Sequence, residues 1–185
     1  NREYEAIVHG KKQKYSMELT TTGAGTYLKS LFELNDVPFT APKNVGFLKL
    51  LISLIDDKNF TVLDFFSGSA SSADAVMQLN AEDGGNRKFI CVQLPETTDE
   101  KSEAFKAGYK NICEIGKERI RRAGDKIKSE IEAANVQIAL DEEEKKVPDI
   151  GFKVFKLNSS NIKKWQPDFD EIEDYISFME NNFID

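Results

Sequence analysis

The stretch Val62-Leu-Asp-Phe-Phe-Ser-Gly-Ser-Ala-Ser-Ser-Ala73 decides the fold. The apolar run Phe60 to Leu63 predicts a buried strand. It ends in Asp64, passes two aromatics, Phe65 and Phe66, and enters the small residues Ser67, Gly68, Ser69 and Ala70. A helix-like run, Ser71 to Leu79, follows. A strand, a tight small-residue loop and a helix place backbone N–H groups and a helix N-terminus beside a ligand. Small side chains let the backbone approach that ligand closely. A carboxylate at the strand end favours a ligand carrying positive charge or hydroxyls.

Outward from this stretch, the pattern repeats. Residues 44–56 carry Phe47, Leu48, Leu51, Leu54 and Ile55 at helical spacing, with Leu50 and Ile52 as extra apolar positions. That predicts a helix buried on more than one face. Asp83-Gly84-Gly85-Asn86 marks a turn. Phe89 to Leu94 is a second short apolar strand, suited to the interior of a parallel sheet. Residues 100–133 give one long charged helix with a stripe of Tyr109, Cys113, Gly116, Ile120, Ala123, Ile127 and Ile131, which Gly124 bends or ends. After a charged loop at 140–149, Phe152 to Leu157 predicts a third strand. Strand–helix–strand–helix–strand implies an α/β fold, a doubly wound parallel sheet with right-handed crossovers. Residues 1–35 are polar and mixed, with a helix candidate over Thr26 to Leu34, and are taken as the tail of a preceding region. The tail from Asp168 to Asp185 is acidic, and Phe169, Ile172, Ile176 and Met179 permit an amphipathic helix there.

At 185 residues the chain is one domain or most of one. Its 25 basic and 32 acidic side chains leave a net charge of −7, against the basic surplus usual in a free-standing DNA-binding protein. Cys91 and Cys113 form no C-x-x-C pair and read as buried thiols in a reducing compartment. The single histidine, His9, argues against a His-rich metal site, and no metal is expected. Without a signal peptide, lipidation motif or apolar span, a cytoplasmic location with no membrane partner is expected.

Three longer stretches sharpen the reading. They are Met77 to Glu96, which contains Asn86-Arg-Lys-Phe-Ile-Cys-Val-Gln-Leu-Pro-Glu96; Ala107 to Arg122, which contains Ile115-Gly-Lys-Glu-Arg-Ile-Arg-Arg122; and Gly151 to Trp165. With the Asp64 loop they resemble the C-terminal part of the modification (Mod) subunit of type III restriction–modification systems, over about residues 20–165. The resemblance implies a Rossmann-like fold of the S-adenosylmethionine-dependent methyltransferases, present in part. It implies an adenine-specific DNA methyltransferase that uses S-adenosylmethionine, binds DNA, pairs with a restriction subunit and forms a homodimer when intact. The expected layout is 1–35 as the tail of a target-recognition region, 36–165 as the cofactor-binding part and 166–185 as an acidic tail.

Site residues follow from matching positions. The resemblance makes Asp64, Phe65, Phe66, Ser67, Gly68 and Ser69 the main cofactor loop, with Asp64 drawing the ammonium end of the methionine moiety. Ala70 stands where the common pattern ends in glycine, which is tolerable if its backbone angles suit an L-residue. Gln93, at the end of the second strand, takes the ribose-binding position, where an amide offers both a donor and an acceptor to hydroxyls; Glu96 is a fallback. Lys43 is carried over from a Lys-Pro pair that closes over the methionine end, but Asn44 replaces the proline and is suited to cap the next helix. The basic set Lys117, Arg119, Arg121, Arg122, Lys126 and Lys128 is interleaved with Glu114, Glu118 and Asp125 and reads as a solvated helix face more readily than a phosphate surface.

No catalytic residue is expected. DNA amino-methyltransferases use an Asp/Asn/Ser-Pro-Pro-aromatic tetrapeptide to hold the target amine. The prolines are Pro38, Pro42, Pro95, Pro148 and Pro167, and no two are adjacent. In the family's order that tetrapeptide precedes the cofactor loop, so the chain is expected to be a C-terminal fragment carrying the cofactor half of the site. The alternative is a degenerate, non-catalytic module that binds cofactor or a partner. A nucleotide-dependent oxidoreductase fits poorly, since no G-x-G-x-x-G follows a strand.

Overall fold

A computed structural model describes residues 2–8, 11–17, 21–137 and 144–157. The chain divides into two compact units, Asn1–Gly151 and Phe152–Asp185. The first opens with an antiparallel hairpin, β1 (Arg2–Val8) and β2 (Lys11–Met17), paired from Arg2 against Met17 to Val8 against Lys11. Sequence reading gave no strands there. Then come α1 (Thr21–Phe32), α2 (Val45–Ser53), β3 (Thr61–Asp64), α3 (Ser71–Asp83), β4 (Lys88–Cys91), the single-turn α4 (Glu103–Lys106) and α5 (Ile112–Val136).

β3 and β4 pair in parallel, with Val62 opposite Phe89 and Asp64 opposite Cys91. A parallel pair needs a crossover, and α3 supplies it. Among the described residues this sheet has two strands. α3 is the hub, touching α2, α5 and both strands. Its first seven residues, Ser71 to Met77, are all buried. Ser71, Ser72, Ala73 and Ala75 among them are small, which lets neighbouring elements approach closely. Val45, Ile52, Ala75, Val76 and Leu79 form one core with Leu48, Phe60, Val62 and Phe89. A second core joins Leu28, Phe32, Ala104 and Ile115 to Val37, Phe39 and Tyr109.

Several expectations are corrected. The 152–157 segment forms no strand: Phe155 and Leu157 are exposed, and among the described residues no ladder pairs with it. A strand exists by its hydrogen-bonded neighbour, which an apolar run does not specify. Among the described residues the parallel sheet is thus a single βαβ unit, not a doubly wound sheet. The long helix of 100–133 is two helices, because Gly108 turns left-handed (φ 100°) and Asn111 starts α5 afresh by accepting from the Glu114 N–H. Gly124 does not end α5; its missing side chain leaves room for Ile150, whose Cβ would lie 3.1 Å from an added Cβ. α2 buries one face only, with Phe47 and Leu51 of the helix exposed and Leu54 and Ile55 exposed just past its end. Both cysteines are free and half-buried rather than fully buried. His9, the segment from 158 to Trp165 and the acidic tail lie outside the described residues.

Among the described residues no helix is long and apolar enough to cross a membrane.

Candidate ligand-binding loop

The loop from Asp64 to Ala70 leaves the carboxyl end of β3 and is tied to β4 by continued ladder bonds. The Val92 N–H donates to the Asp64 carbonyl at 2.8 Å, and the Ser67 N–H donates to the Val92 carbonyl at 3.2 Å. Asp64 straps the loop to itself: Oδ1 accepts from the Phe66 N–H at 3.2 Å and Oδ2 from the Ser72 hydroxyl at 2.6 Å. The Ala70 N–H closes a turn on the Ser67 carbonyl at 2.7 Å. Gly68 sits at φ 51°, and a Cβ there would lie 3.2 Å from Phe39 Cζ. Ala70 also adopts the left-handed region, φ 58° and ψ 39°, immediately before α3. These are angles that glycine adopts freely, and an L-residue is strained there by about 1–2 kcal/mol.

Gln93 comes to the loop as its place at the strand end suggests, but it is already engaged. Its Oε1 accepts from the Gly68 N–H at 2.8 Å, and its Nε2 donates to the Leu94 carbonyl at 3.2 Å. One lone pair and one N–H remain for a ligand. The Cys113 thiol donates to the Gln93 carbonyl at 3.3 Å, so the first turn of α5 also fixes this residue. Glu96 is exposed, and its carbonyl accepts from the Ile112 N–H at the start of α5. The Phe65 and Phe66 rings lie 5.2 Å apart, tilted by 58°, and Phe66 is 82% exposed.

Asp64, Phe65, Phe66, Ser67, Gly68, Ser69 and Gln93 are thus gathered at one end of the two parallel strands. Lys43 is exposed on the segment leading into α2, whose Phe39 packs on Gly68. Asn44 caps α2, its Oδ1 accepting from the Phe47 N–H at 3.1 Å. Burial raises the Cys91 thiol pKa above its ordinary range, so it stays protonated at neutral pH.

Arg119 departs furthest from its sequence reading. It is fully buried behind the loop, not on a solvated face. Its neighbours on α5 keep that face: Lys117 pairs with Glu114, Arg121 and Arg122 with Glu118, Lys126 with Glu130 and Lys128 with Glu132. Helical spacing held the signal, for Arg119 lies four residues from both Ile115 and Ala123, which are buried. A cleft of about 290 Å³ between α3 and α5, lined by Tyr27, Gln78, Lys126 and Glu130, includes none of the loop residues.

The loop's chemistry suits a ligand carrying positive charge and hydroxyls. Asp64 supplies a carboxylate, Phe66 offers an open aromatic face and Gln93 retains a donor and an acceptor, while the Gly68 N–H is taken by Gln93. Among the described residues no cluster of three or more metal-ligating side chains is found.

No protein-family model matches the chain. It is 40% identical over 130 residues to the Type III restriction-modification enzyme StyLTI Mod subunit of Salmonella typhimurium, covering 70% of this chain and 18% of that protein. It is 37% identical over 161 residues to the Type III restriction-modification enzyme EcoP15I Mod subunit of Escherichia coli, covering 85% of this chain and 22% of that protein. It is 31% identical over 87 residues to the Type II methyltransferase M.KpnI of Klebsiella pneumoniae, covering 47% and 21% respectively. The chain spans between 18% and 22% of these relatives' length.

Proposed function

This chain is a relative of the Mod subunits of type III restriction–modification enzymes over most of its length, and on that footing we propose that it is the cofactor-binding portion of a site-specific adenine-N6 DNA methyltransferase. The observation that carries the reading is the small-residue loop at the carboxyl ends of two adjacent parallel strands, where open α/β sheets receive ligands. S-adenosylmethionine supplies an electrophilic methyl group when bound. Ser67, Gly68 and Ser69 would present backbone to it, Asp64 would hold its ammonium group, Gln93 its ribose hydroxyls and Phe66 an apolar face. Lys43 would close over the methionine end.

The same proposal takes the βαβ unit as part of a doubly wound sheet. Its support is the sheet face turned away from α3, where Leu63 and Ile90 are exposed, with Phe65, Val92 and Leu94 exposed just past the strand ends. A parallel sheet is ordinarily covered on both faces, so further elements would pack there in the whole protein. DNA, a restriction subunit and a second copy are the proposed partners, in the cytoplasm. A non-catalytic binding module is the second reading, favoured by the lack of adjacent prolines in these 185 residues.

Titration calorimetry with S-adenosylmethionine tests the cofactor assignment. Heat of binding by the parent chain that is lost in Gly68→Val and weakened in Asp64→Ala is the expected result; equal binding by all three overturns it. A labelled-methyl assay on mixed-sequence duplex DNA tests the division of labour. Holding reactants in place is worth roughly 7–11 kcal/mol of barrier, and no residue here is assigned to hold the target amine. The 185-residue chain alone is expected to transfer nothing. Joined to a Pro-Pro-bearing half it is expected to transfer methyl groups, and silence there would favour the non-catalytic module.

A further inference from the structure

Arg119 and Asp74 have side chains with 0% exposure, and Arg119 Nε donates to Asp74 Oδ2 at 2.9 Å. Such a pair is weak evidence for stability, because well-packed apolar replacements are often as stable. Its other bonds suggest what it does. Arg119 Nη1 donates to the Ser69 hydroxyl at 3.1 Å and to the Ser71 hydroxyl at 2.7 Å, the residues on either side of Ala70. Ala70 holds a left-handed backbone without glycine's freedom, so that conformation has to be maintained by its surroundings. α5 is brought close enough to do so by Gly116, one turn before Arg119. A Cβ on Gly116 would lie 3.4 Å from the Gly68 carbonyl oxygen and 3.5 Å from Ala70 Cβ.

The far side of the pair is anchored too. Asp74 Oδ1 accepts from Gln78 Nε2 at 2.8 Å and from the Tyr27 hydroxyl at 3.3 Å. The Tyr27 ring lies 5.7 Å from the Arg119 guanidinium. Burial, then the Asp74 carboxylate, push the Tyr27 phenol pKa upward, so it remains a donor at any ordinary pH.

We propose that Arg119 is a positioning residue, fixing the Ser67–Ser71 loop in its ligand-receiving conformation through the Ser69 and Ser71 hydroxyls while Asp74 fixes Arg119. It touches no ligand itself. The planar fork matters, because one guanidinium reaches a carboxylate and two hydroxyls in set directions, which an ammonium on a flexible stem does not. The inference rests on reading this loop as the cofactor loop.

The test uses the 185-residue chain and three variants: Ser71→Ala, Arg119→Lys, and Arg119→Met combined with Asp74→Leu. The last replaces the ion pair by apolar groups and guards against an uncompensated buried charge. Three quantities are read on each: S-adenosylmethionine affinity by calorimetry, the urea midpoint, and amide hydrogen exchange of residues 67–71. The double variant is expected to keep the parent's urea midpoint, to bind at least tenfold more weakly and to exchange its loop amides at least tenfold faster. Arg119→Lys is expected to lose affinity similarly despite its retained charge, and Ser71→Ala to lose several-fold. A folded double variant with parental affinity and parental loop exchange overturns the proposal. Should the double variant fail to fold, Ser71→Ala decides: parental exchange and affinity there overturn it. Should the parent bind no S-adenosylmethionine, the cofactor reading falls, while loop exchange still decides Arg119. Acceleration in the variants upholds its hold on the loop, and unchanged exchange overturns it.

Discussion

Ala70 shows how much one backbone angle depends on its neighbours. Its strain of about 1–2 kcal/mol is set against a buried methyl group worth about 0.8 kcal/mol, which packs toward Gly116. Ala70→Gly is therefore expected to change unfolding free energy by less than about 1 kcal/mol, since relief and loss nearly cancel. Ala70→Val adds branching to a left-handed residue in a filled space and is expected to cost roughly 1–3 kcal/mol by overpacking alone. Urea denaturation of the two variants checks both signs. Asp83 offers a second residue-scale test. Burial works against its charge, but hydrogen bonds from Arg87 and from the Gly85 N–H, with the charges of Arg87 and Lys58, hold its carboxyl below the ordinary carboxylate range. A depressed folded pKa contributes stability above the unfolded value, about 3.9, and loses it as pH falls through the folded value. The melting temperature of the parent is expected to exceed that of Asp83→Asn at neutral pH, with the gap closing below about pH 4. A gap that does not narrow as pH falls would assign the effect to packing instead.

Among the elements, α5 carries the most. Its first turn meets the site through the Cys113–Gln93 bond, its second through Gly116 and Arg119, and its later turns pack Ala123, Ile127 and Ile131 inward. Asn111 starts it, Oδ1 accepting from the Glu114 N–H at 3.1 Å. Removing such a cap costs about 1 kcal/mol. Asn111→Ala is expected to lose that much in urea denaturation and to speed amide exchange at residues 112–115. Because Cys113 holds the Gln93 carbonyl, exchange of the Gly68 amide should rise with it. Unchanged exchange at Gly68 would show that α5's first turn and the loop are uncoupled. α5 was only partly legible beforehand. Its apolar stripe gave the buried face, but the same charge alternation that marks a solvated surface concealed Arg119, whose carboxylate partner sits 45 positions away in α3.

At the scale of the whole molecule, the two-stranded sheet has one face on α3 and the other open. Leu63 is 59% exposed and Ile90 52%. Exposed apolar faces of this kind associate. Leu63→Thr with Ile90→Thr is expected to keep the parent's melting temperature within a few degrees and to remain monodisperse at concentrations where the parent associates, as read by light scattering. Association of both proteins alike would place the sticky surface elsewhere. The order strand, small-residue loop, helix, strand was determined by the sequence alone, because each piece declares itself locally: an apolar run, residues that permit tight turns, a helical period. So was the role of Asn44 as a cap, whose acceptor lies three residues from its donor. Tertiary structure alone decided the left-handed angles at Ala70, the bond that engages Gln93 with Gly68, the burial of Arg119 and the absence of a strand over 152–157. Each of these depends on a partner distant in sequence, and no local pattern says whether that partner arrives.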